Sequence, residues 1–316
     1  MQAWQFTNTN EPLVLNDVPE PEAAPGAVVI DIKAAGLCHS DVGLMQDAGW
    51  LETLAFRPIT IGHEVAGVVS EVGEGVTDWS VGDRVAVCPT TPAGAPGYVT
   101  NGGFSHKMTI DQQALVRIPD DVGFIEAATA TDAGMTSYHA LTKGGEIGEG
   151  DKIGIIGLGG LGQIAARAAV LKGAEVYVAE VNEKAWELGE EIGIHGISKS
   201  ILDFKEKGLD KVIDYAGFGE TTADAIEAVK IGGVVVLVGM GKLEANISTI
   251  RMILSQVTLI GSNGGTPQDV ADIMDLYATG GLKPKLTIIG FDDIPQGIDD
   301  LKHHRIVGRL VAKIAD

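Results

Sequence analysis

Hydrophobic positions along this chain follow two different patterns. Up to about residue 120, apolar and β-branched residues alternate or run in short stretches: VVIDIKAAG (28–36), EVAGVVSEV (64–72) and DRVAV (83–87). This is the patterning of β-strands. Gly, Pro and Asp clusters such as PEPEAAPG (19–26) and VGEGVTDWSVGD (72–83) separate them as turns. The stretch TTPAGAPGYVTNGG (90–103) holds too few apolar residues for an element and reads as a loop.

From about residue 135 the pattern changes. IGII (153–156), VYVAE (176–180), KVIDYAG (211–217), VVVLVGM (234–240) and VTLIGS (257–262) are nearly continuous apolar runs, as strands covered on both faces require. Helical patterns alternate with them over 161–173, 183–193 and 221–233, which predicts a parallel α/β sheet. A further helix is expected over 267–281, ended by glycines, and KLTIIGF and GRLVAKI return to strand chemistry. The expected organisation is a β-rich region over 1–134, an α/β region over 135–265 and a short tail over 266–316.

Composition narrows the function classes. With 45% hydrophobic and 21% charged residues in 316, the chain can bury a full core and is not expected to be disordered. Its net charge of −20 lacks the basic footprint that nucleic acid demands and opposes an anionic membrane surface. No window approaches ~18 uninterrupted apolar residues, so no membrane span is expected. The first residues carry no basic segment followed by an apolar run, so no signal peptide is expected either. Two cysteines, Cys38 and Cys88, make no disulfide framework and fit a reducing, cytoplasmic setting.

Strand IGII leads straight into Gly157-Leu158-Gly159-Gly160-Leu161-Gly162, and a helix pattern follows. An acid, Glu180, closes the next strand 23 positions after Gly157. Strand, glycine turn, helix and distal acid together form a dinucleotide-binding fingerprint. Gly157 makes the tight turn, Gly159 admits the pyrophosphate, and Gly162 lets helix and strand pack closely. The helix N-terminus offers unpaired N–H groups to the phosphates. Glu180 is expected to accept the ribose hydroxyls and to repel a 2′-phosphate, which predicts NAD(H) over NADP(H).

Cys38-His39-Ser40-Asp41 follows one strand and Gly62-His63-Glu64 opens the next. Cys38 and His63 lie too far apart in sequence for a zinc-finger knuckle, yet both sit at turns of the β-rich region. A catalytic metal needs three protein ligands and an open position. With two soft ligands visible, a carboxylate must supply the third.

Gly62-His63-Glu64 with Gly67, Gly73 and Val76 reproduces the signature of zinc-containing alcohol dehydrogenases. GLCHSDV (36–42), VGEGVTDWSVGDRVAV (72–87), TDAGMTSYHAL (131–141), GLGGLG and GRLVAKI (308–314) follow in that family's order. The chain therefore resembles a medium-chain dehydrogenase/reductase over nearly its whole length. The resemblance implies an α/β fold: a Rossmann-type doubly wound parallel sheet plus a GroES-like β-rich catalytic domain to which the tail returns. It implies one catalytic Zn²⁺ held by Cys38, His63 and, at the place of a third cysteine, Asp132.

By the same resemblance Glu64 is the acid beside the metal and Asp41 orients His63. Ser40 takes the substrate proton, and Thr136, Leu161 and Val238 line the nicotinamide. Arg309 reaches the pyrophosphate. Many members end the proton relay with a histidine where this chain has Gly43, and His39 is the nearest replacement. The four-cysteine lobe of members with a structural zinc is absent, leaving Cys88 alone, so no structural zinc is expected. Trp50, Leu54 and Phe56, between the first two ligands, are expected to wall an apolar substrate pocket.

The implied activity is NAD(H)-linked hydride transfer between nicotinamide C4 and an alkyl or aryl alcohol, ketone or aldehyde. The rival within the superfamily is a zinc-independent reductase of activated C=C or C=N bonds. The strand VTLIGS is expected to pair edge to edge with a second subunit in a homodimer or homotetramer.

Overall fold

In the computed structural model, which describes residues 1–92 and 94–315, the chain divides into two compact units. The first comprises Met1–Met135 and the residues from Thr266 onward; the second is Thr136–Gly265. Ala93, in the segment read as a loop, lies outside the described residues.

The second unit is a six-stranded sheet, parallel throughout. Its spatial order is Gly196–Ser198, Glu175–Ala179, Lys152–Ile156, Leu209–Asp214, Val229–Leu237 and Thr258–Gly261. Counted along the chain this is the order 3-2-1-4-5-6 of a doubly wound nucleotide-binding fold. Its two central strands are buried over 153–156 and 212–214, where Ile and Val predominate, as cover on both faces requires.

Two expected helices are trimmed. The helix anticipated over 221–233 ends at Ala228. Val229 turns extended there, and the register breaks opposite Leu209 and Lys211 while Gly232 adopts φ +74°. The pattern over 183–193 splits into a 3₁₀ turn, Glu183–Ala185, and a helix, Trp186–Ile192, closed by left-handed Gly193.

The first unit is built on a seven-stranded, mainly antiparallel sheet. Strand Ala27–Leu37 is its backbone, pairing with Glu64–Val72, Lys107–Asp111 and Arg309–Lys313. Leu286–Gly290 runs parallel to Arg309–Lys313 at one edge, so the tail is an integral part of this sheet. Phe6, Ile30, Val65, Val85, Phe104 and Leu310 belong to one buried core. Three helical pieces without a sequence expectation complete the unit's site: His39–Gln46, Phe124–Thr129 with its π-helical continuation Ala130–Gly134, and Ile294–Lys302.

Candidate active site

Sheet register converts distant residues into neighbours. Strands Ala27–Leu37 and Glu64–Val72 pair antiparallel with Gly36 opposite Glu64, so Cys38 and His63 emerge at the same sheet end. Leu310 pairs with Leu37, which brings Arg309 to that end as well. Asp132 arrives from above on the π-helical turn Ala130–Gly134, following a helix that packs on the same strands. Such wide turns recur at functional sites because they re-aim a side chain that a regular α-helix would place elsewhere.

Among the described residues, Cys38, His63, Glu64 and Asp132 each bring a donor atom into one group spanning no more than 4.8 Å. Cys38 Sγ lies 3.6 Å and His63 Nε2 3.3 Å from Asp132 Oδ2. Ser40 Oγ is 3.4 Å from His63 Nε2. Asp41 serves both halves of the site: its Oδ2 accepts the Cys38 N–H at 2.9 Å, and its Oδ1 faces His63 Nδ1 at 3.7 Å. The Tyr98 ring packs against His63, centroids 5.5 Å apart, and its hydroxyl reaches Ser40.

The electrostatics describe a site that wants a cation. Burial pushes the Cys38 thiol up, but the Arg309 charge and His63 outweigh it and hold the thiol below its ordinary range. Burial works against charging His63, yet Tyr98, Asp132, Cys38 and Asp41 together raise its imidazole well above the usual value. Burial raises Asp41, with His63 and the Cys38 N–H opposing. A cysteine, a histidine and a carboxylate within mutual reach make a mixed S, N, O donor set of the kind that can hold a zinc ion.

Glu64 and Arg309 form a fully buried ion pair, with Arg309 Nε 3.1 Å from Glu64 Oε2 and Nη2 closer still to Oε1. Gly36 makes room for it, because any Cβ there would run into the Glu64 carboxylate. Arg309, expected at the pyrophosphate, is thus turned inward onto Glu64. His39 hydrogen-bonds the Leu301 carbonyl and lies flat against His304, 6.1 Å between centroids. Desolvation, with the charges of Arg309 and His304, holds its imidazole down to about 4.

Trp50 and Leu54 pack against the hydrophobic core, and Phe56 is exposed. The Trp50 indole lies across Gly43, where an added Cβ would come within 2.7 Å of the ring. Cys88 is buried, its sulfur 3.4 Å from Met135 Sδ, and burial pushes its thiol up.

The second unit carries the glycine turn. Gly157 has φ +90° and donates its N–H to the Ala179 carbonyl at 2.8 Å. A Cβ on Gly162 would collide with the Gly157 carbonyl, whereas one on Gly159 would meet nothing within 4 Å. Gly159 therefore fronts open space at the N-terminus of helix Gly160–Leu171. Glu180 accepts the Leu158 N–H at 2.6 Å and the Asn182 N–H at 2.7 Å, leaving further lone pairs on each oxygen. Leu161 accepts the Ser137 hydroxyl through its carbonyl, Thr136 is buried, and Val238 donates its N–H to Asp214.

Sequence reasoning did not single out Tyr98, which lies in the apolar-poor loop, nor the requirement for glycine at 36. The GLC segment preceding a ligand was the available hint for the latter.

Two family models match: an alcohol dehydrogenase GroES-like domain over residues 24–120 and a zinc-binding dehydrogenase over 160–279. The NAD-dependent alcohol dehydrogenase of Sulfurisphaera tokodaii is 30% identical, covering 98% of this chain and 99% of the relative. An NADP-dependent alcohol dehydrogenase C of Mycolicibacterium smegmatis is 28% identical over 95% of this chain and 93% of its own. The acetophenone reductase of Geotrichum candidum, solved in complex with NAD, superposes with a TM-score of 0.91 at 28% identity, covering 99% of this chain and 97% of that one.

Proposed function

Since the chain belongs to the zinc-type medium-chain alcohol dehydrogenase family, we propose that it is a zinc-dependent, NAD(H)-linked alcohol dehydrogenase or carbonyl reductase. The observation that carries this reading is the convergence of Cys38, His63 and Asp132 beside Ser40. These three residues would hold one Zn²⁺. When bound, it supplies a Lewis acid to the substrate oxygen. With only two cysteines in the chain, a four-cysteine structural zinc has no ligands.

The chain's own groups then divide the remaining work. Ser40 Oγ exchanges the substrate's hydroxyl proton, and Asp41 fixes the orientation of the His63 ring. Glu64 remains charge-balanced by Arg309 and available beside the ligands. In the second unit, the turn from Gly157 to Gly162 takes the pyrophosphate on backbone N–H groups. Glu180 accepts the adenosine ribose hydroxyls, which favours NAD(H). A nicotinamide cofactor bound there would supply or accept the hydride exchanged with the carbon of an alkyl or aryl alcohol, ketone or aldehyde.

The edge strand Thr258–Gly261 and the exposed Ile250, Ile253 and Leu254 of the preceding helix support a homodimer or homotetramer. Both cysteines are free, and among the described residues no helix is long and apolar enough to cross a membrane. These features support a cytoplasmic assignment.

Elemental analysis of chelator-free protein tests the metal site, alongside NADH oxidation with ketone and enone substrates. About one zinc per chain and ketone-dependent turnover are expected, both lost in Asp132→Ala. No metal, with enone reduction intact, would transfer the chain to the zinc-independent reductases.

A further inference from the structure

We propose that Glu183 and Lys199 are a second determinant of cofactor choice: a poised cation at the adenosine ribose, held neutral by a neighbouring acid. The inference rests on the dinucleotide reading of the second unit and names residues beyond Glu180. Strands Glu175–Ala179 and Gly196–Ser198 pair in parallel with Ala179 opposite Ser198. One step further, Glu180 donates its N–H to the Ser198 carbonyl at 2.8 Å, so Glu180 and Lys199 leave the sheet abreast. They do so at the end where Gly157 meets Ala179, beside the glycine turn. Lys199 Nζ then lies 2.6 Å from Glu183 Oε1, in the 3₁₀ turn that follows Glu180.

The charges at this corner decide what it accepts. Glu180 is pinned by the Leu158 and Asn182 N–H groups and cannot swing away without giving up both bonds. Glu180 and the Glu183–Lys199 pair therefore leave the same corner of the sheet, two carboxylates with one ammonium. A 2′-hydroxyl is welcome as a donor to Glu180, while a 2′-phosphate carries roughly −1.5 to −2 at pH 7 and needs a cation. Lys199 is that cation, but Glu183 cancels it.

Lys199 and Glu183 are 61% and 63% exposed, and an exposed pair adds only about 0–1 kcal/mol to stability. The turn has its own cap, the Asn182 side chain accepting the Lys184 N–H at 3.2 Å. Fold maintenance therefore does not account for the pair, and its weight falls on the field at the ribose.

The experiment is a fluorescence titration of zinc-loaded protein with NADH and with NADPH, repeated with 5′-AMP and 2′,5′-ADP by calorimetry. The variants are Glu183→Gln, Lys199→Gln and their double, with Lys184→Gln as a control cation from the same turn. Glu183→Gln should tighten NADPH and 2′,5′-ADP by about three- to tenfold while NADH and 5′-AMP stay within about twofold. The gain should disappear in the Glu183→Gln/Lys199→Gln double, persist with Lys184→Gln, and shrink as salt is raised. Adding Glu180→Gln to Glu183→Gln should enlarge it, because the corner then carries net positive charge.

An unchanged NADPH affinity in Glu183→Gln, with NADH binding intact, overturns this proposal alone, as does a gain that survives Lys199→Gln. A wild-type chain that binds neither dinucleotide overturns it together with the reading on which it rests.

Discussion

Glu64 and Arg309 are two charges with no access to water, and their tolerance depends on a missing side chain. A buried pair contributes little net stability while intact but costs several kcal/mol when one partner is displaced. Gly36 is the residue that leaves it intact. Gly36→Ala drives a methyl group into the Glu64 carboxylate and should lower the unfolding free energy in urea by about 2–4 kcal/mol. A loss below about 0.5 kcal/mol would mean that the carboxylate relocates at no cost. Cys38 and His63 were legible in sequence because each stands at the end of a strand whose pattern is plain, whereas the role of Asp41 came from the family resemblance. Asp132 was legible only through the family resemblance, since nothing in its own neighbourhood marks a ligand. Arg309 could be matched to a position, but its partner could not be read, because burial of a long side chain is a property of the space around it.

At the scale of the element, the glycine turn separates two uses of the same residue type. Gly162 is a packing glycine, its missing Cβ standing in the path of the Gly157 carbonyl. Gly159 is open, as its proposed contact with the pyrophosphate requires. Gly159→Ala should therefore cost less than about 1 kcal/mol of stability, as a helix N-cap change does, yet weaken NADH binding by about tenfold or more. Gly162→Ala should cost several kcal/mol and melt the second unit before binding can be measured. Thermal melts beside NADH titrations distinguish the two, and equal melting points would erase the distinction. Five of the six strands were legible because their apolar runs are continuous, whereas the short edge strand Gly196–Ser198 and the helix Thr249–Leu254 carry no such run and were not expected. The π-turn bearing Asp132 was not legible either, since its i→i+5 bonding has no residue signature and is enforced by packing on the strands beneath it.

For the whole molecule, a net charge of −20 disfavours self-association, so any interface must be apolar and local. Among the described residues strand Thr258–Gly261 is an edge of its sheet, and helix Thr249–Leu254, just before it in the chain, leaves Ile253 and Leu254 each 72% exposed. Edges of this kind are covered in stable proteins. Light scattering should report a dimer or larger, and Ile253→Asp should convert it to monomer with each unit still folded. A monomeric wild type would remove the oligomer proposal.

Sequence by itself determined the two structural patterns, the parallel α/β sheet, the glycine turn with its acid, and Cys38 and His63 as candidate ligands. These follow from periodicity and from local chemistry at fixed spacing, which the chain carries in one dimension. Tertiary structure decided what pairs with what: Cys38 with His63 through the antiparallel register, Glu64 with Arg309 across an absent Cβ, Tyr98 against His63, Trp50 over Gly43, and Lys199 abreast of Glu180. Apart from Trp50 and Gly43, those contacts join residues well separated along the chain, and the register of the sheets and the volume left inside them determine which side chains meet.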